Sequence, residues 1–155
     1  GGKIGRLADG RFIIGDMQRF QRGPDERDAA IANTAQLDGQ DTEISIPQDP
    51  GQAGKTQVLY MIRRLAGFNV KSSPETGDKV TRAEPFAAQV NAGNVVMVRG
   101  LWNQALIDEL RMFPNGKNDD QADALSRAFG VFYAPTSTGL LDFYRHQADA
   151  LNNRN

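Results

Sequence analysis

An α/β domain built on a mixed sheet with flanking helices is the fold class this sequence predicts. A hairpin pattern opens the chain, and short β-prone runs then alternate with segments of helical spacing. No internal repeat or low-complexity stretch interrupts that alternation. At 155 residues, with 39% apolar and 24% charged side chains, the chain suffices for one soluble domain with its own core.

Each element follows from local chemistry. Lys3–Leu7 and Arg11–Arg19 read as strands joined by Ala8-Asp9-Gly10, since Asp-Gly between β-prone segments favours a tight turn. Pro24, followed by Asp25, Glu26 and Asp28, suits the start of a helix running to Leu37, which Asp38-Gly39 stops. Thr42–Ile46 reads as a short strand, and Asp49-Pro50-Gly51 breaks the chain after it. Gly54–Ala66 returns to helical spacing with Val58, Ile62 and Leu65 on one face, and Gly67 ends it. Phe68–Lys71 is a further strand, Ser72–Lys79 a polar loop, and Arg82–Asn91 a helix carrying Pro85 early. Val95–Val98 reads as a short buried strand. Trp102, Leu106, Leu110 and Phe113 recur at a helical period until Pro114-Asn115-Gly116. An acidic helix is expected from Asp119 to Phe132, which closes a domain over residues 1–133. Residues 134–155 would add a last helix, Gly139–Leu151, and a polar tail.

Composition removes several classes of function. A net charge of −1 gives no basic footprint, so a nucleic-acid partner would be met by a local patch. The absence of cysteine excludes disulfides and thiolate metal sites and fits a reducing compartment. No apolar run approaches the roughly 18 residues that span a bilayer, and no signal-peptide pattern opens the chain, so a soluble intracellular protein without a membrane role is expected. Without cysteine, and with His146 as the lone histidine and no triad around it, covalent nucleophilic catalysis is not indicated.

The densest chemistry lies at Asn118–Asp123, where Asp119, Asp120 and Asp123 open the acidic helix. Helical spacing puts at least two of these acids on one face. Acids at a helix start suit the dipole, so a solvated acidic turn is one reading. Clustered carboxylates also repel unless a cation neutralises them, and Mg²⁺ prefers oxygen donors, so a metal site is the other. A second feature, Asp49-Pro50-Gly51-Gln52-Ala53-Gly54-Lys55-Thr56, imitates a nucleotide-binding phosphate loop between strand and helix. Asp49 stands where that loop needs glycine and would oppose phosphate charge, so the glycines are better read as turning strand into helix. An Asp-Pro-Gly turn needs no chemistry, but the carboxyl end of a strand is where α/β sheets place their sites.

Four segments occurring in order carry a resemblance: Ile46–Lys55, Gly77–Ala87, Gly93-Asn94-Val95 and Asn118–Ala124. Together they resemble the C-terminal nuclease domain of the large terminase subunit of tailed bacteriophages, across roughly residues 3–131. The resemblance implies an RNase H-like mixed sheet and metal-dependent endonuclease action on double-stranded DNA during genome packaging. It implies catalytic roles for Asp49, Asp120 and Asp123, and metal ligation by these together with Asp119. The expected cofactors are two Mg²⁺ or Mn²⁺ ions, one activating water and one stabilising the leaving 3′ oxygen. The expected partners are duplex DNA, the portal and the small terminase subunit, in the cytoplasm of an infected or lysogenic bacterium. The family's first metal-binding aspartate lies on the opening strand of the sheet, and this chain reads as lacking the first strand. Asp9 falls in the hairpin turn and Asp16 at a position without a usual catalytic role, so neither replaces it. The alternative is a catalytically incomplete DNA-binding or portal-docking module.

Cations near these motifs keep two readings. Lys79 and Arg82 flank a helix start and suit DNA phosphates, or else form internal bridges to Asp78 or Glu84. Lys55 could approach phosphate or offset Asp49. Trp102, at a helical period, is read as core rather than as a base-stacking platform.

Overall fold

The computed structural model describes residues 1–75 and 77–133. The expected terminal helix, the polar tail and His146 fall outside the described residues. Strands β1 (Gly2–Arg6) and β2 (Phe12–Met17) form the antiparallel hairpin read from Asp9-Gly10. The Gly10 N–H donates to Leu7 O at 2.9 Å, and Gly10 adopts φ 90°, a conformation glycine takes without a Cβ clash.

Helix α1 (Pro24–Asp38) begins at its proline and stops where the Gly39 N–H donates to Ala35 O. Strand β3 (Glu43–Gln48) runs two residues beyond the expected Ile46, through Pro47. A proline lacks a donor, and β3 is an edge strand, where the missing N–H costs no ladder bond. Helix α2 (Gln52–Arg64) leads to β4 (Asn69–Pro74), which takes over the first half of the expected polar loop. Helix α3 (Lys79–Asn91) starts three residues earlier than expected because Asp78 caps it. Strand β5 (Val95–Met97), helix α4 (Asn103–Met112) and helix α5 (Asp120–Gly130) complete the order.

The strands divide into two sheets. One is mixed, in the order β1-β2-β5, with β1–β2 antiparallel and β2–β5 parallel. The other is the parallel pair β3-β4. Each sheet carries its own core. Phe12, Ile14 and Met17 of β2 pack with Phe86, Leu106, Leu125 and Phe129, drawing α3, α4 and α5 onto the first sheet. The ring of Phe129 meets Phe12 edge-on at 4.8 Å between centroids. Ile44, Ile46 and Val70 of the second sheet pack against Ala35, Met61 and Leu65, so α1 and α2 cover it. Trp102 packs against the first core, as its spacing suggested.

Two expectations fail in detail. Met61, not Ile62, takes the core face of α2: the buried row is Gly54, Val58, Met61 and Leu65, and Ile62 is turned toward solvent. At 100° per residue that row is centred between Met61 and Leu65, which leaves Ile62 at its margin. Strand β5 is not fully buried either, because Met97 and the Val98 beyond it are exposed at its end. No helix among the described residues is long and apolar enough to cross a membrane.

The core assignment predicts a sharp contrast. Leu125→Ala, at a fully buried leucine, should cost about 2–5 kcal/mol. Leu101→Ala, at a fully exposed one, should stay within about 0.5 kcal/mol. Urea unfolding of the two variants checks both values.

Candidate functional site

Asp49 follows β3 directly, at the carboxyl end of the second sheet, and is exposed. Its backbone is gripped by the turn that follows. A Cβ on Gly54 would stand 2.0 Å from the Asp49 carbonyl oxygen, so only glycine lets α2 start this close. Gly51 takes φ 89° in the same turn. The glycines of the phosphate-loop lookalike therefore serve the reversal from strand to helix. Lys55 is exposed on the first turn of α2 and joins no ion pair among the described residues.

The other assigned acids sit at the start of α5, where Asp119 is the N-cap residue and Asp120 and Asp123 lie in the first turn. The helix is strongly amphipathic in effect. Gln121, Ala122, Leu125, Ser126 and Phe129 are buried, which leaves Asp120 exposed and Asp119 and Asp123 half-buried at its rim.

What fixes that end is Glu109 of α4, a residue the sequence pattern did not single out. Its buried carboxylate accepts from the backbone N–H of Gln121 at 2.6 Å and of Ala122 at 3.1 Å, and from Gln121 Nε2 at 2.7 Å. Helix N-termini leave such amides without partners, and here a carboxylate from another helix supplies one.

The acids have partners of their own. Lys79 Nζ donates to Asp119 Oδ2, and Arg82 Nη2 to Asp123 Oδ1 at 3.2 Å. Arg82 also donates to Gly77 O at 2.9 Å and lies 3.4 Å from Glu75 Oε2. The two cations do form internal bridges, but to the late acids rather than to Asp78 or Glu84. Asp78 is engaged differently: it accepts from the backbone N–H groups of Val80 and Thr81 and from the Thr81 hydroxyl. The N–H of Thr81, then its hydroxyl, holds the Asp78 carboxyl below its ordinary value.

Asp120 stands exposed on the first turn of α5.

Arg127, also absent from the sequence-based candidates, joins α5 to the second sheet. It donates to Ser73 Oγ at 3.1 Å, Ile46 O at 3.4 Å and Ser73 O at 3.4 Å, and pairs with Glu75 at 3.0 Å. It lines a cleft of about 360 Å³ together with Ser45, Ser73, Arg82 and Ser126.

The structure thus gathers Asp119 and Asp123 with Lys79 and Arg82 and leaves Asp120 exposed, without an ion pair among the described residues. No hydrogen bond or ion pair among the described residues joins Asp49 to the acids of α5. Nor does any group of three or more His, Cys, Asp and Glu among the described residues stand so as to hold a metal ion. The donors have the hard oxygen chemistry that Mg²⁺ or Mn²⁺ takes, but as the side chains stand they do not make its ligand set.

Comparison with known proteins matches the chain to a family model described as a terminase RNaseH-like domain, over residues 2–130. No curated protein and no solved structure matches significantly.

Two outcomes test this geometry. Glu109→Ala should destabilise the fold by about 1–3 kcal/mol, because it leaves the α5 amides buried without an acceptor. Calorimetry measures the loss. Asp78→Ala should lower the melting midpoint by about 4 °C near neutral pH. Since the folded-state value of Asp78 is depressed, its contribution is complete above the ordinary carboxylate range and disappears as pH falls through the lowered value. The difference in midpoint between the two chains should therefore close below pH 3.8, the ordinary value for this carboxyl.

Proposed function

Because the chain belongs to the family of terminase RNaseH-like domains, we propose that it hydrolyses phosphodiester bonds of double-stranded DNA as a metal-dependent endonuclease of a phage packaging motor. The observation that carries this reading is the span of the match, which includes every acid assigned to the chemistry, from Asp49 to Asp123. The positions of those acids support it: Asp49 stands at the carboxyl end of a strand, and Asp119, Asp120 and Asp123 open one helix. Asp49, Asp120 and Asp123 are the proposed catalytic acids, with Asp119 as a further ligand for two Mg²⁺ or Mn²⁺ ions. Such ions, when bound, supply an activated water and stabilise the departing 3′ oxygen. The present side-chain arrangement stops short of that ligand set, so ligation requires the acids to move relative to their ion-pair partners.

Lys55, Lys79 and Arg82 are the proposed contacts to DNA phosphates. They lie at the starts of α2 and α3. Phosphate contacts would give affinity with little sequence preference. The portal and the small terminase subunit are the proposed protein partners, in the cytoplasm of the bacterial host.

A second reading has specific support. The ion pairs on Asp119 and Asp123 suit a catalytically incomplete module that binds DNA or docks on the portal. Plasmid nicking with Mn²⁺ separates the two. The nuclease reading expects nicking by the chain and a loss of at least about 100-fold in Asp120→Ala, the scale of a metal's contribution to the transition state. Equal nicking by both forms removes Asp120 from the site. No nicking by either favours the docking module.

A further inference from the structure

The two faces of the second sheet are covered differently. Successive side chains of a strand alternate between faces, and Ile44, Ile46 and Val70 pack toward α1 and α2. Ser45 and Ser73 therefore stand on the opposite face, and the side chain that reaches them is Arg127 of α5. That side chain is only 14% exposed and donates from all three guanidinium nitrogens. Nη1 bonds the Ser45 and Ser73 hydroxyls and Ile46 O, Nη2 bonds Ser73 O, and Nε and Nη2 both bond Glu75. A planar fork engaged on several sides fixes orientation as well as distance, which a single ion pair does not. The contact also lies near both groups of assigned acids. Arg127 is one helical turn beyond Asp123, and Ile46 is three residues before Asp49. The ties of Lys3 to Asp38 and of Gln18 to Thr34 join the first sheet to α1 instead, on the other face.

We propose that Arg127 is a positioning residue, which sets the distance and orientation of α5 on the second sheet and so places Asp120 and Asp123 relative to Asp49. No hydrogen bond or ion pair joins it to any of those acids among the described residues. Its effect passes through the backbones of α5 and β3. The proposal rests on the nuclease reading in one respect, that these acids serve one reaction.

The chain has no cysteine, so introduced cysteines alone take nitroxide labels. Leu59→Cys on α2 and Asp120→Cys on α5 are exposed positions, one on each side of the contact. Pulsed electron paramagnetic resonance measures the distance between the two labels and needs no activity. Arg127→Gln in this background should lengthen or broaden that distance by about 1 Å or more, the scale on which misplaced reacting groups lose rate. Arg127→Lys keeps the charge but loses the fork, so it should give a smaller change of the same kind. It also carries the test should Arg127→Gln fail to fold, which circular dichroism reports. Lys3→Gln removes the tie to Asp38 and should leave the distance unchanged. An unchanged distance in every folded Arg127 variant, or an equal change in Lys3→Gln, overturns the proposal. In plasmid nicking with Mn²⁺, Arg127→Gln without labels should lose up to about 100-fold in kcat, with KM for DNA little changed. A raised KM with kcat intact makes Arg127 a DNA contact and overturns the positioning role. The two readings fail separately. An altered distance with no nicking by any form keeps Arg127 as the residue that positions α5 and removes the nuclease. Full nicking with an unchanged distance does the reverse.

Discussion

The buried carboxylate of Glu109 is the contact that fixes the acidic start of α5 in this fold. A helix that starts with three acids needs its backbone amides satisfied and its acidic side chains kept free, and ordinary capping by the acids themselves would sacrifice one of them. Glu109 resolves the conflict from outside. By accepting from the Gln121 and Ala122 amides and from the Gln121 side chain, it occupies the inner side of the helix start. Asp119 makes no capping bond to the helix, and its carboxylate is left for Lys79. The apolar face completes the anchoring. Leu125 and Phe129 are sunk in the first core, so the acids cannot rotate inward without undoing aromatic packing against Phe12 and Phe86.

Around that fixed end the charges form a chain rather than a cluster. Asp123 meets Arg82, Arg82 meets Glu75, Glu75 meets Arg127, and Arg127 reaches the carbonyl oxygens of Ile46 and Ser73. Each partly exposed pair is worth little alone, on the order of 0.2–1 kcal/mol. Their value lies in position, because the chain crosses from α5 through the start of α3 to the rims of β3 and β4. A chain with a net charge of −1 thus gathers two cations, Lys79 and Arg82, at the start of α3, each paired with an acid of α5.

Much of this was legible in the sequence, and what was not has two main causes, contacts made across distant elements and the phase of a helix face. The hairpin, the proline start of α1, the strand ahead of Asp49 and the acidic start of α5 all rest on interactions within a few residues, which spacing encodes. The capping role of Asp78 was equally local, but the Gly77-Asp78 pair read as loop until the Val80 and Thr81 amides were seen to converge on it. Glu109, Glu75 and Arg127 carried no local pattern. Glu109 meets Gln121 across a helix-to-helix turn, and Arg127 meets Glu75 across 52 residues, so only the packing of α5 brings them together. Ile62 was misplaced for a different reason: Met61 and Ile62 both fit a helical period, and the phase of the face is set by the sheet beneath it.

The two groups of assigned acids ride on different cores, and this shapes how they can meet. Asp49 is carried by β3 and by the start of α2, whose apolar faces belong to the second core. Asp119, Asp120 and Asp123 are carried by α5, which belongs to the first. Among the described residues, the side-chain hydrogen bonds from α5 to the strands of the second sheet come from Arg127 alone. Arg127 is thus the hydrogen-bonded link from α5 to that sheet, held on carbonyls and serine hydroxyls that water can also satisfy, while Lys3–Asp38 and Gln18–Thr34 tie the first sheet to α1. Polar contacts of that kind shift at small cost, whereas the apolar cores do not deform gradually. Each group of assigned acids thus sits on its own apolar core, and the charged series Arg82, Glu75 and Arg127 runs from Asp123 to the edge of the second sheet.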